Sequence, residues 1–330
     1  MKPITAALWA GVSVCIALPA AAQDLTIRVG TVYQPDHTIS KGTAEFARIV
    51  EEESGGSIEV QPFYSEELGT EREMAEMTRA GGMEMVLSGL PGTGAFVPQL
   101  EVMEAFYTYG DVEDLARVVE AISPDLNGFM EPQGFHMLGA MYQGPRNLLA
   151  NEPVRTLADI EGMKMRIPQT PLFVTLAQSW GATPTAIAFS EAYTALENGV
   201  VDAIDGTAES MVTSGFSEQV KNLTLTRHNF YPQPMVVNLD WWNGLTDEQR
   251  AILEDAAARA SEYQLGLHTE AANAAIARME EEGVTIIEPD NIEEFREPVL
   301  AAMDGYIKDK GDDVYAVYQK MLEVAGSDED

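Results

Sequence analysis

Gly162-Met163-Lys164-Met165-Arg166-Ile167-Pro168 is the stretch on which the reading of this chain turns. It reads as a short strand, and Pro168, which has no amide proton to give, stops ladder pairing just after it. The strand carries one arginine. A guanidinium keeps its charge inside a protein and needs a partner when buried. Two readings follow. Arg166 lies on an edge strand with its head in water, or it lies inside and pairs with a carboxylate, from the protein or from outside.

Working outward, strand and helix alternate on both sides. Residues 25–31 read as a strand. Residues 41–53 read as a helix with Phe46, Ile49 and Val50 on one face, closed by Gly55-Gly56. A strand (57–64), a helix (70–80, Met74 and Met77 inward) and a strand (83–90) follow. This alternation implies a parallel sheet with right-handed crossovers. Ligands of such sheets gather beyond the carboxyl ends of the strands. That rule selects Tyr33, Gln34 and His37, then Glu71 and Arg72, then Ser88 and Gly89. Residues 112–122 form the next helix and 136–142 a strand. Beyond Gln143, Gly144-Pro145-Arg146 reads as a turn into 147–150.

Past Arg166 and Gln169 come a helix (171–180), a short strand (186–189) and a helix (190–198) capped by Ser190 and ended by Gly199. A strand (200–204) carries Asp205-Gly206-Thr207 at its carboxyl end. This second set makes a second α/β domain. Thr246-Asp247-Glu248-Gln249 is a capping box. The helix it opens runs to residue 282, roughly 50 Å at 1.5 Å per residue, and so crosses both domains. Gly266 is its candidate weak point. Glu280-Glu281-Glu282 reads as a solvated helix end and 327–330 as a frayed tail.

Residues 1–22 read as a secretory signal: Lys2, an apolar run from Ile4 to Leu18, and Ala20-Ala21-Ala22 before cleavage at Gln23. Cys15, the one cysteine, leaves with it. Making Cys15 a lipidated N-terminus would leave too short an apolar run ahead of it. The remaining chain holds no thiol and must rest on an apolar core, divided between two domains. No later stretch is apolar enough to span a bilayer. Without Lys2, 19 basic residues face 53 acidic ones, a net charge of −34. That sign disfavours nucleic acid as a partner. It suits a soluble protein, such as one in salty surroundings that screen self-repulsion. It says little about a buried pocket, so a cationic ligand does not follow.

Catalytic signatures are absent: no HExxH, CxxC or GxSxG. Pro91-Gly92-Thr93-Gly94 lacks the Gly-Lys-Ser/Thr ending of a phosphate loop and reads as a turn. His37, His136, His228 and His268 have no ligand spacing, and nothing in the spacing of the carboxylates singles out a metal site or a glycosidase pair. No cofactor and no metal is expected.

The chain resembles the substrate-binding proteins of tripartite ATP-independent periplasmic (TRAP) transporters over essentially its whole length after the signal. The resemblance rests on Pro35-Asp36-His37, Leu68-Gly69-Thr70-Glu71-Arg72-Glu73, the Gly162 to Pro168 stretch, and Gly181-Ala182-Thr183-Pro184. It continues in Phe189-Ser190-Glu191-Ala192-Tyr193-Thr194-Ala195-Leu196, Asn198-Gly199-Val200-Val201-Asp202, and Asn238-Leu239-Asp240-Trp241-Trp242-Asn243-Gly244-Leu245. Each piece is weak alone; their order and spacing are specific. The resemblance implies a periplasmic-binding-protein-like α/β fold of two domains joined by crossing segments and a long helix, closing on a small organic acid. We divide the chain as 23–144 with 232–270, and 145–231 with 271–330.

The resemblance also implies roles. Arg166 matches the arginine that pairs with the ligand carboxylate in two parallel hydrogen bonds, a geometry lysine cannot supply. Arg146 matches a second arginine of some members; holding its turn is the equal alternative. Phe189 and Tyr33 would cover the apolar part of the ligand. Gly206 stands where many members carry a ligand-contacting asparagine, which leaves room for a bulkier ligand or a role for Thr207 or Glu209. With Gln34, His37, Glu71, Ser88, Gln143 and Gln169 these residues complete the candidate site. The implied partners are membrane permease subunits, and the expected form is a periplasmic monomer. A sensory binding protein and an exported enzyme on the same fold are the rival readings.

Overall fold

The computed structural model describes residues 25–326, so the signal segment, Cys15 and the tail 327–330 lie outside the described residues. The chain runs β1 (Leu25–Gly30), α1 (Thr38–Glu53), β2 (Ile58–Phe63), α2 (Glu71–Arg79), β3 (Met85–Leu87), α3 (Val112–Met130), β4 (Phe135–Ala150), α4 (Leu157–Ile160), β5 (Lys164–Ile167), α5 (Pro171–Ser179), β6 (Thr183–Ala186), α6 (Phe189–Glu197), β7 (Ala203–Thr207), α7 (Ala208–Thr213), β8 (Asn222–Asn238), α8 (Leu239–Gly244), α9 (Asp247–Glu281), β9 (Thr285–Ile287), α10 (Ile292–Lys308) and α11 (Asp312–Ala325). The strands lie in the order β2-β1-β3-β8-β4-β7-β5-β6, with β9 beside β8.

Two parallel blocks, β2-β1-β3 and β7-β5-β6, are therefore carried at the two ends of one long antiparallel pair, β4 and β8. Each block follows from its sequence. Ile27 and Val29 alternate inward on β1, and Phe46, Ile49 and Val50 on α1 cover them. Met165 and Ile167 of β5 are buried with Leu172, Phe173 and Leu176 of α5. The long helix is as expected: Thr246 and Gln249 close the capping box and α9 passes Gly266 unbroken. It packs on α1 and β4 and, further along, on α7, so it serves both blocks. After it, α10 packs on α5 while α11 packs on α3.

Several expectations are corrected. The turn at 144–146 is a bulge within a 16-residue strand. The β4–β8 register shifts between Gln143 and Pro145, where the ladder skips and the missing amide proton of proline costs nothing. Phe189 opens α6 rather than ending a strand, because β6 stops at Ala186, and the N-cap position is Ala188, not Ser190. Val200 still donates to the carbonyl of Ala195 in the closing turn of α6, so the next strand begins only at Ala203. Asp205, Gly206 and Thr207 are thus in β7. The helix read as ending at 122 continues through Pro124 to Met130, and the strand read as 83–90 is Met85–Leu87.

A larger irregularity follows Arg146. Arg146 pairs with Asn229 but Leu148 pairs with Thr224, so residues 225–228 leave the ladder opposite Asn147. Arg227 takes a φ of +41° in this excursion, and the amide oxygen of Asn147 accepts its backbone N–H at 3.1 Å. The excursion brings His228 beneath β7.

Candidate functional site

Arg166 is not on an edge. It pairs with Thr185 of β6 on one side and Ile204 of β7 on the other. It is 3 % exposed. Its Nε donates to the carbonyl of Ile187 at 3.0 Å, and its guanidinium lies 5.9 Å from the ring centre of Phe189. Among the described residues no carboxylate comes within ion-pair distance of it. Burial pulls its pKa down to about 10, and Arg146 pushes the same way, against the pull of Asp205.

Arg146 is built differently. Its Nε donates to Asp205 Oδ2 at 2.6 Å and its Nη2 to the Asp205 carbonyl at 3.2 Å. The guanidinium sits between the rings of Phe173 and Tyr231, 5.0 and 5.1 Å from their centres. Burial opposes both charges, yet each partner offsets it: Asp205 raises the pKa of Arg146, and Arg146 with His228 holds the Asp205 carboxyl well below the usual carboxylate range. His228 Nε2 lies 3.3 Å from Asp205 Oδ2. The positive charge of Arg146 is thus neutralised within the protein.

These two arginines line a cavity of about 40 Å³ with Tyr33, Glu71, Pro91, Pro168, Phe189, Gly206, Thr207, Met211 and Tyr231. The carboxyl of Glu71 is buried, and burial raises its pKa to about 7 against the Gly89 N–H that it accepts at 2.7 Å. Two openings adjoin the cavity. A small one beside Glu66 and Arg72 takes in Gln169; a wider one beside Ser65 and Tyr193 takes in Gln34. Ser88 lies behind Glu71, accepting from the Thr93 amide at 2.9 Å.

The other candidates form the floor. Gln143 and Gln233 each donate to the Tyr33 hydroxyl, at 2.6 and 2.9 Å. Gln143 Oε1 accepts from Ser210 at 2.9 Å and Thr207 at 3.2 Å. His37 Nδ1 accepts the Ile39 amide, which assigns the proton to Nε2, 3.0 Å from Ser210 Oγ. Burial lowers the pKa of His37 to about 3, so the ring is neutral, and it stacks on Tyr33 at 4.3 Å. Glu209 turns away from the cavity. Its carboxylate accepts the Thr38 amide at 2.7 Å and the Thr38 hydroxyl at 2.9 Å, bonding α7 to the first turn of α1.

Tyr231, Met211, Pro91 and Pro168 were not selected from the sequence. Tyr231 has a usable signal, since it opens Tyr231-Pro232-Gln233-Pro234, a run too proline-rich for a helix. Met211 has none, because a methionine at helical spacing reads as core.

The sequence pattern of the bacterial extracellular solute-binding protein family 7 (DctP) matches residues 29–309. The C4-dicarboxylate-binding periplasmic protein of Rhodobacter capsulatus is 30 % identical over 275 residues, 83 % of either chain. A TRAP periplasmic solute-binding protein of Actinobacillus succinogenes, solved with L-galactonate, is 28 % identical with a TM-score of 0.84, covering 90 % of this chain and 99 % of that one. A Bordetella relative with density assigned to pantoate is 25 % identical with a TM-score of 0.85, covering 91 % of this chain and 99 % of that one.

Proposed function

Because this chain belongs to the family 7 extracellular solute-binding proteins of TRAP transporters, we propose that Arg166 captures the carboxylate of its small organic acid in two parallel hydrogen bonds. The observation that carries the reading is one buried guanidinium without a protein carboxylate, beside a second that has one. Leaving a charge buried and unpaired is unfavourable, so a carboxylate gains more at Arg166 than at Arg146.

The cavity wall is shared. Tyr33, Glu71 and Pro91 come from the first block; Arg166, Phe189, Thr207 and Met211 from the second; Arg146 and Tyr231 from the crossing strands. A ligand seated there touches both blocks, which favours a closed arrangement that the permease reads. α11 packs on α3 and goes with the first block, but otherwise we divide the chain as 23–144 with 232–270 and 145–231 with 271–330, which cuts the crossing strands at Tyr142–Pro232 and Gln143–Tyr231 beside the bulge. We place the hinge there. The protein works in the periplasm as a monomer once its first 22 residues are removed. It binds without turnover: the Thr207 and Ser210 hydroxyls at the cavity are bonded to Gln143, and the His37 nitrogen facing Ser210 carries the ring proton, so it cannot serve as a base. No helix among the described residues is long and apolar enough to cross a membrane.

Mass spectrometry of purified protein should detect a retained organic acid, and a thermal-shift screen should find at least one acid that raises the melting point. Recovery of a chemically altered acid after incubation would show an enzyme instead.

A further inference from the structure

Gly206 has an ordinary extended backbone, so its lack of a side chain answers to space and not to φ. A Cβ built on it would fall 1.8 Å from Met211 Cε and 3.4 Å from Met211 Sδ. The methionine methyl occupies the place any other residue at 206 would need. Met211 is 1 % exposed, and both residues line the cavity that holds Arg166. Several other members of the wall are held in place. Tyr33 accepts two hydrogen bonds, Arg146 is bonded twice to Asp205, Arg166 is fixed on Ile187, and Pro91 and Pro168 are rigid. Met211 has an unbranched thioether with no bond to break, so it can adjust where the bonded members cannot.

The charges lining the cavity limit the ligand as well. Of its two arginines, one is neutralised by Asp205. Among the residues that line it, a second carboxylate on the ligand would find no second unneutralised cation; Arg72 lines only the smaller adjoining cavity.

We propose that Met211, seated against Gly206, is a specificity-determining residue, and that the ligand is a monocarboxylate that turns an apolar face toward Met211. The inference rests on the carboxylate role of Arg166 given above. A polar or hydroxyl-bearing face placed against the thioether would lose its water without gaining a partner. An acid with methyl or methylene groups there would lose nothing.

The test uses calorimetric titration of the intact protein with three probes: pantoate, whose two methyl groups form an apolar face; D-glucuronate, hydroxylated on both faces; and succinate, a dicarboxylate. The parent should prefer pantoate to D-glucuronate by at least about tenfold, the discrimination a methylene-scale contact supplies, and should bind succinate more weakly than either. Met211→Gln keeps the length but adds an amide, and should move the pantoate-to-glucuronate ratio about tenfold toward glucuronate. Gly206→Ala pushes the methionine methyl into the cavity and should weaken every acid while leaving the ligand-free melting point near the parent's. Gly206→Ala with Met211→Ala should restore binding but not the preference for pantoate, whereas relief of a merely structural clash would restore both.

A ratio unchanged in Met211→Gln, Gly206→Ala binding like the parent, succinate binding tightest, or no binding of any probe would each overturn the inference. Arg166→Ala separates the two levels. If it loses binding while the Met211 variants behave like the parent, the carboxylate reading stands and this inference falls. If Arg166→Ala binds normally, both fall.

Discussion

Replacing the two buried arginines by alanine should have opposite consequences. Arg166 is buried with no protein carboxylate to answer it, and its pKa is drawn down to about 10, so the fold carries it at a cost. Arg166→Ala should leave the ligand-free melting point unchanged or higher. It should weaken ligand binding by about 2–5 kcal/mol, the range for truncating one partner of a buried charge pair, or roughly 30- to 4,000-fold in Kd. Arg166→Lys keeps the charge but not the paired donors, and should recover only part of the loss. Arg146→Ala strands Asp205, which is fully buried and charged. Breaking such a pair costs about 3–5 kcal/mol of stability, so the ligand-free melting point should fall by on the order of 10 °C. Calorimetric titration and a ligand-free melting curve for each variant decide it. Arg166→Ala melting as low as Arg146→Ala would refute the reasoning, because Arg166 would then be a structural ion-pair member. Full affinity in Arg166→Ala would refute it as well.

Glu71 should give the protein a pH signature. Burial holds its folded pKa at about 7, with Arg166, Glu66, Glu104, Tyr33 and Tyr231 as its charged or titratable neighbours. Between the ordinary glutamate range and about pH 7 the folded state binds a proton that the unfolded chain has released, so stability falls as pH rises through that window. Glu71→Gln should flatten that fall between about pH 5 and 7, and a melting-point profile parallel to the parent's would count against the assignment. His37 works in the other direction: its folded pKa of about 3 means stability rises with pH from there to the ordinary histidine value. The slope that His37→Gln loses should therefore have the opposite sign. The bond from Glu209 to the first turn of α1 joins the two blocks. If it helps close them, Glu209→Ala should weaken ligand binding by about 1.5–3 kcal/mol, the worth of a hydrogen bond to a charged group. Small-angle scattering should then show a larger radius for the liganded variant than for the liganded parent; equal radii and equal affinity would remove Glu209 from closure.

Local patterns in the sequence were informative wherever local physics decides. The Thr246–Gln249 box, the strand around Arg166 and the helices that cover β1 and β5 follow from periodicity and capping. Arg166 could be singled out because a charged residue among Met165 and Ile167 has few explanations. The misreadings lie where distant partners override a local signal. Gly144-Pro145-Arg146 has turn composition, but β8 runs beside it for 17 residues, and a bulge accommodates the proline. Glu209 looked aimed at the cleft because its neighbours are, yet the unpaired amide of Thr38 attracts it from 171 positions away. The Arg146–Asp205–His228 cluster joins three strands through an excursion at 225–228 that no sequence rule anticipates.

The difference between the two arginines also suggests how capture and closure become one event. Closing the blocks without an anion would bury Arg166 unpaired, a penalty that grows as water leaves. Arg146 already has its partner, Asp205, at 2.6 Å. On the proposed role of Arg166, the charge that resists closure is the same charge that the ligand neutralises. A neutral molecule of the right shape would fill the cavity but leave Arg166 unanswered, and the open arrangement would remain favoured. A ligand can move a two-state equilibrium only by its difference in affinity for the two states. On that proposal the carboxylate supplies the difference, because its pairing with Arg166 would strengthen as water is excluded. The side chains around it, Phe189 and Met211 among them, then select which carboxylate gains most from the closed form.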